Sequence, residues 1–171
     1  MTKSGLVLCV SFMGAVLVGC SPQTPPTTST SAAKASSSAA KGLAKPSATA
    51  DDNTWGTYLS KQGKMHGEDV EGHPYIYLIP GGDSAAASTR RKEEAQSITF
   101  AIGPIVIPGS LLVMGGPDAQ QTNALVTTLP KTIKANALKG VVVLIVSDGT
   151  QEAAITKAFE PTGATLRFVA M

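Results

Sequence analysis

The chain has little charge of either sign and few aromatic residues. Of its 171 residues, 15% are charged and 5% are aromatic, with 14 basic and 12 acidic side chains. A net charge of +2, without a basic stripe interleaved with aromatics, argues against a nucleic-acid-binding protein. With 43% hydrophobic residues, the composition differs from that of a wholly disordered chain or a polytopic membrane protein. The length suits one domain of ordinary size.

Histidine and the common catalytic motifs are also scarce. The two histidines are His66 and His73, and the sequence contains no GxSxG, HExxH, GxGxxG or Walker A motif. A catalytic triad needs a histidine beside its serine, and both histidines precede the candidate strands. His66 and His73 enclose three acids and are therefore candidate metal ligands, but a solvated acidic loop is the favoured interpretation and no metal or cofactor is expected.

The N-terminus has the pattern of an export signal. Lys3 precedes an almost continuously apolar run over residues 5–18. As a helix this run would span about 21 Å, which is shorter than the ~30 Å hydrocarbon core of a bilayer. We therefore interpret it as a signal peptide and not as a permanent transmembrane helix. The run ends in the sequence LVGC at residues 17–20, which resembles the lipobox of bacterial lipoproteins.

This resemblance covers the first 20 residues only and implies a lipid anchor. In that class the signal, here residues 1–19, is removed, and the following cysteine, here Cys20, carries acyl chains such as palmitate. Ser21 in the next position favours the periplasmic side of the outer membrane, with the inner membrane as the alternative. Cys9 would leave with the signal and Cys20 would carry lipid, so the mature protein would have no free thiol for catalysis or a disulfide.

A change of composition separates the anchor from the folded part. Residues 21–50 contain 24 Ser, Thr, Ala or Pro residues, three lysines and no acid. Such a segment has too little apolar surface to offset the entropy of ordering, so we predict a disordered tether from Cys20 to residue 50. Residues 51–171 should form a single globular domain.

Residues 51–171 repeat one local pattern three times. Short apolar runs at residues 75–79, 111–114 and 141–146 are each followed by a polar, Gly-rich turn and a helical stretch, and a last strand is expected at 164–169. Apolar runs without alternation are typical of strands buried on both faces. We predict an α/β three-layer sandwich of about four mostly parallel strands. Trp55, at helical spacing with its apolar neighbours, indicates a short N-terminal helix packed on the sheet.

The turns after the strands are the strongest candidate ligand site, because ligands of parallel sheets bind at the carboxyl edge. Glycine and helix N-termini there suit an anion or a small polar ligand. The alternative is that the polar side chains only cap helices, with Asp83 or Ser84, Asp118, and Asp148 or Thr150 at the caps. The candidate ligand-binding residues are Gly81, Gly82, Asp83, Ser84, Gly115, Gly116, Asp118, Ser147, Asp148 and Gly149.

The apolar segment 98–110 is interrupted by Pro104 and Pro108 and is expected to be an edge strand or a hydrophobic loop. If it is exposed, it forms a patch of the kind that marks protein partners.

The favoured function is a non-catalytic binding or accessory module for another envelope protein or cell-wall component. The alternative is a small periplasmic enzyme or ligand-binding domain that uses the loops after the strands.

Overall fold

The computed structural model describes residues 43–171. The predicted signal peptide, the lipidation of Cys20 and the predicted tether up to residue 42 lie outside the described residues. Residues 43–50, which the composition assigns to the tether, contact the domain: Leu43 and Ala50 pack against its apolar core, and the Trp55 indole donates to the Ser47 carbonyl at 3.0 Å. No helix of the described part is long and apolar enough to cross a membrane.

The described residues form an α/β fold with a sheet of four strands. All neighbouring strands are parallel, and their order in the sheet is their order in the chain. The strands are β1 (Pro74–Leu78), β2 (Leu111–Gly115), β3 (Val142–Ser147) and β4 (Thr165–Ala170). The helices are α1 (Asp52–His66), α2 (Ala85–Ala101), α3 (Ala119–Thr128) and α4 (Glu152–Phe159). The predicted fold class is confirmed.

The strand order explains how the helices are distributed. Each of α2, α3 and α4 connects a strand to its neighbour on the same side, and right-handed crossovers place all three on one face of the sheet. The opposite face would be open to water without α1, which packs on β1, β2 and β3. Trp55, Tyr58 and Leu59 of α1 are buried there with Val113 and Leu144 of the central strands.

The core is densest in the central strands. Every residue of β2 is buried, and so is every residue of β3 except half-buried Val142. Ile155 and Phe159 of α4 and Val126 of α3 cover the crossover-helix face. β1 and β4, at the two edges of the sheet, are half-buried along most of their length. The loops at the carboxyl ends of β2 and β3 therefore follow strands that are buried on both faces.

The end of α2 differs from the sequence expectation. The segment predicted as an edge strand or loop begins as helix, because Ile98 and Ala101 continue the buried side of α2 to its last residue. The chain then turns tightly, with Ile105 and Val106 both donating to the Ala101 carbonyl, at 2.9 and 2.8 Å. Residues 102–110 then form the loop that leads into β2.

Candidate functional site

Two of the predicted carboxyl-edge side chains cap helices. The Ser84 hydroxyl accepts from the Ala87 amide of α2 at 3.1 Å, and the Asp118 carboxylate accepts from the Gln121 amide of α3 at 3.1 Å. These contacts satisfy amides that the first helical turn leaves without a backbone partner. Both oxygens thus stabilise their own helices.

Asp83 has a different role from the predicted cap. Its carboxylate accepts from the side-chain amide of Gln121 at 2.7 Å and so links the loop after β1 to α3. The loops also approach closely at Gly81, where an added Cβ would lie 3.1 Å from the Asp118 Cβ. The structure therefore brings the loops after β1 and β2 together, as the parallel order predicts.

The loop after β3 does not cap α4 as expected. α4 begins after Gln151, whose side chain makes no capping hydrogen bond. The Asp148 carboxylate instead accepts from the Thr150 amide at 3.1 Å and from its hydroxyl at 2.9 Å, closing a tight turn. The Thr150 backbone amide is the main reason that the pKa of Asp148 is lowered, with the side chains of Asn123 and Thr150 adding to the effect. The turn therefore stabilises the ionised carboxylate.

Sequence reasoning missed Asn123, which holds this edge of β3 to α3. It is 2% exposed, its amide nitrogen donates to Asp148 at 3.0 Å, and its oxygen accepts from the buried Ser147 hydroxyl at 2.7 Å. The available signal was an amide side chain within the helical stretch predicted after the second strand, two residues before the apolar pair Leu125 and Val126. Its two partners lie 24 and 25 residues away, so no local pattern reveals them.

Four glycines at the carboxyl edge are explained by local packing or by backbone conformation. A Cβ on Gly115 would meet the Leu59 side chain at 2.7 Å, and a Cβ on Gly116 would collide with the Ile79 carbonyl oxygen. Gly82 and Gly149 have φ values of +81° and +75°, which glycine adopts without strain. Local packing and backbone conformation therefore account for these glycines without a ligand.

A cleft lies at the carboxyl edge, where the loops after β1 and β2 meet. It has a volume of about 820 Å³. Its lining includes four of the predicted residues, Gly81, Gly82, Ser84 and Asp118, together with Arg90 and Asp52. The last two side chains form an exposed ion pair at 2.7 Å across the cleft wall. The predicted residues Asp83, Gly115, Gly116, Ser147, Asp148 and Gly149 do not line this cleft.

The histidines lie near the amino ends of the strands, at the other end of the sheet from the cleft. His66 ends α1 and His73 precedes β1, and both are exposed. Within residues 43–171, no three His, Cys, Asp or Glu side chains are close enough together to hold a metal ion. Between them, Asp69 forms a bidentate pair with Arg167 of β4, with both oxygens at 2.6 Å. The Arg167 hydrogen bonds lower the pKa of Asp69 to about 2.

An apolar surface lies at the end of α2, near the amino ends of the strands. Phe100 is 79% exposed, and Ile105 and Ile107 are each 53% exposed. We call these three residues the amino-edge apolar surface. Two other residues of the expected patch are not part of it, because Ile102 is half-buried and Val106 is buried. A groove of about 250 Å³ adjoins Phe100 and is floored by Leu129 and Ala95.

Exposed lysines border this surface. Lys131 lies beside Thr132, whose hydroxyl is 3.1 Å from that of Thr99, one residue before Phe100. Lys139 lies beside Gly140, whose carbonyl accepts from the Gly109 amide at 2.7 Å. Residues 119–147 contain no acid, but the exposed Glu71 lies beside Gly72, whose amide donates to the Gly109 carbonyl at 3.2 Å, so the border carries charges of both signs.

The comparisons with known proteins identify no relative: no protein-family model matches the chain, and neither a curated protein nor a solved structure is significantly similar to it.

Proposed function

We propose that the protein is a lipid-anchored, non-catalytic binding module of the bacterial envelope, which docks another envelope protein through the amino-edge apolar surface. Cys20 would attach it to the periplasmic side of the outer membrane. The observation that carries the docking proposal is the exposure of Phe100. Burying an aromatic or large aliphatic side chain is worth about 1.5–3 kcal/mol, which a partner could recover.

The chemistry of the surface describes the partner. Phe100, Ile105 and Ile107 would enter an apolar depression, and the groove beside Phe100 would receive one side chain of the partner. Lys131 and Lys139 favour acidic groups of the partner opposite these two side chains. Aromatic anchors surrounded by polar borders are typical of protein interfaces.

The side chains at the carboxyl edge support the non-catalytic part of the proposal. Ser84 and Asp118 are held as caps, and Asp148 closes its own turn. A ligand that used these oxygens would have to replace existing hydrogen bonds, each worth about 1 kcal/mol.

The docking proposal is tested by crosslinking in intact cells, followed by identification of the captured protein. Phe100→Asp should reduce the yield of a specific crosslinked partner at least tenfold, because it places a charge in the apolar contact. Met65→Asp is the matched control, since Met65 is also apolar and exposed (45%) but lies on α1. Circular dichroism verifies that both variants fold. Equal partner yields from the two variants would refute docking through this surface.

The anchor is tested separately. Cys20→Ala should leave the protein without lipid and move it out of the membrane fraction. Mass spectrometry of the purified parent should show Cys20 at the N-terminus with added acyl mass. A parent protein that retains Met1 and an unmodified Cys20 would contradict the anchor while leaving the docking surface untouched.

A second candidate function is binding of a small polar ligand in the carboxyl-edge cleft. Its volume of about 820 Å³ lies in the range of known ligand sites, and Arg90 could pair with an anionic group. The test is a thermal-shift screen of the purified chain against small anionic and sugar compounds. A shift that Gly81→Leu abolishes would support the cleft, because the added side chain would point at Asp118. A screen without any shift would remove this candidate.

A further inference from the structure

The outer edge of β4 has unused backbone hydrogen-bonding groups. Within residues 43–171, β4 pairs with β3 alone. The Thr165 amide donates to Val141 at 2.9 Å and the Met171 amide donates to Ser147 at 3.0 Å, so odd-numbered residues of this strand face β3. Because hydrogen bonding alternates along a strand, the amides and carbonyls of the even-numbered residues point outward. These residues are Leu166, Phe168 and Ala170.

The other outer strand of the sheet, β1, is less suited to pairing with another chain. The Ile79 amide donates to Gly115 at 2.8 Å, so the outward-facing residues of β1 are Pro74, Ile76 and Leu78. Proline has no amide hydrogen, and its presence on an edge strand discourages pairing. β1 therefore offers two outward donors, whereas β4 offers three.

β4 also lacks the charges that usually protect an edge. Its one charged residue, Arg167, is held by Asp69 at 2.6 Å and by the carbonyl of His66. Leu166 and Phe168 are half-buried against the core, so an apolar part of each side chain is left at the edge. An edge strand without proline or lysine presents unpaired backbone groups that can pair with another chain.

We propose that two copies of the chain associate by antiparallel pairing of their β4 strands, which would form one continuous eight-stranded sheet. A second copy fits this edge because it presents the same three donors and three acceptors, and a two-fold axis pairs them reciprocally. The inference is independent of the lipid anchor and of the amino-edge apolar surface.

The hydrogen-bonding pattern selects the register. Outward-facing residues must pair with outward-facing residues, so Phe168 lies opposite Leu166, Phe168 or Ala170 of the second copy. The register with Ala170 leaves Leu166 without a strand residue opposite it and allows only four hydrogen bonds between the strands. The register with Leu166 would place the two Arg167 residues opposite each other, where like charges destabilise the pair. The register with Phe168 forms an aromatic pair, places Leu166 opposite Ala170, and allows six hydrogen bonds between the strands.

A single cysteine at position 168 tests this register. In a hydrogen-bonded antiparallel pair the two Cα atoms lie about 5.5 Å apart, within the range of disulfides. The experiment uses the full-length chain with Cys9→Ser and Cys20→Ser, purified in mild detergent, so that the introduced thiol is the only one. Phe168→Cys should form a disulfide-linked dimer under mild oxidation. Thr165→Cys is the control, because its two copies would be about 20 Å apart.

Sedimentation velocity of the chain without an introduced cysteine provides the second measurement. It should give the mass of a dimer, and Ala170→Pro should weaken the dimer at least tenfold, because it removes an outward amide that the monomer does not use. Ala170→Ser should leave dimerisation unchanged, and circular dichroism verifies folding. A monomer at about 100 μM, equal crosslinking at positions 165 and 168, or a dimer in which neither crosslinks would each overturn the proposal.

Discussion

The contact between α3 and the loop after β3 offers the sharpest test of the carboxyl edge. Asn123→Ala removes the donor to Asp148 at 3.0 Å and the acceptor for Ser147 at 2.7 Å. A hydrogen bond to a charged group contributes about 1.5–3 kcal/mol and a neutral one about 1 kcal/mol. Ser147, which is 3% exposed, also loses its close partner. We therefore expect a loss of about 3 kcal/mol in the free energy of unfolding.

Thermal unfolding followed by circular dichroism is the assay. For a folded part of this size, a loss of about 3 kcal/mol corresponds to a decrease in Tm of about 10 °C. Gln120→Ala is the matched control, since Gln120 is an exposed amide side chain on the same helix and its loss should change Tm by less than about 2 °C. Equal effects of the two substitutions would refute the structural role assigned to Asn123.

A double-mutant cycle separates the hydrogen bond from the lost volume. Ser147→Ala removes the hydroxyl that donates to Asn123. If the two side chains stabilise the protein through this bond, the double variant should lose about 1 kcal/mol less than the sum of the single losses. Additive losses would show that the 2.7 Å contact contributes no coupling energy.

Two further predictions concern packing and pH. Gly116→Ala should lower the free energy of unfolding, measured by denaturant titration, by several kcal/mol, because its Cβ would collide with the Ile79 carbonyl. Gly56→Ala in α1 is the control: its Cβ meets nothing within 4 Å, so it should be neutral or stabilising by up to about 1 kcal/mol. Equal effects of the two substitutions would contradict the packing at Gly116. Asp69, whose pKa falls from 3.8 to about 2, contributes stability above its unfolded pKa that is lost as pH decreases through the folded value. Between pH 4 and pH 2 the Tm of the parent should therefore decrease more than the Tm of Asp69→Asn. Parallel profiles of Tm against pH would exclude a contribution of Asp69 to stability.

Several expectations followed from local patterns alone. Short apolar runs rich in branched residues predicted the strands, since such runs are typical of strands buried on both faces. Ser84 and Asp118 occupy their predicted capping positions because a cap depends on residues three positions away. The helical stretch predicted after the second strand is α3, which buries Leu125 and Val126 against the core.

Other expectations failed where distant residues decide the structure. Asp148 was a candidate cap for α4, but Asn123 and Thr150 hold its carboxylate in a turn instead. Residues 98–101 extend α2 because Ile98 and Ala101 have a core to pack against, and residues 102–110 of the same segment form a loop. Asn123 was missed as a site residue because its partners belong to another element.

Local sequence patterns were enough to predict the α/β class, the strand positions and the meeting of three loops at one edge, because these depend on hydrophobic periodicity and on the geometry of parallel crossovers. Packing between distant elements sets which carboxylates are engaged, how far Phe100 is exposed and which backbone groups of β4 point outward. Those properties depend on contacts between residues far apart in the chain, and the same local sequence could adopt either state until the sheet and its helices are assembled.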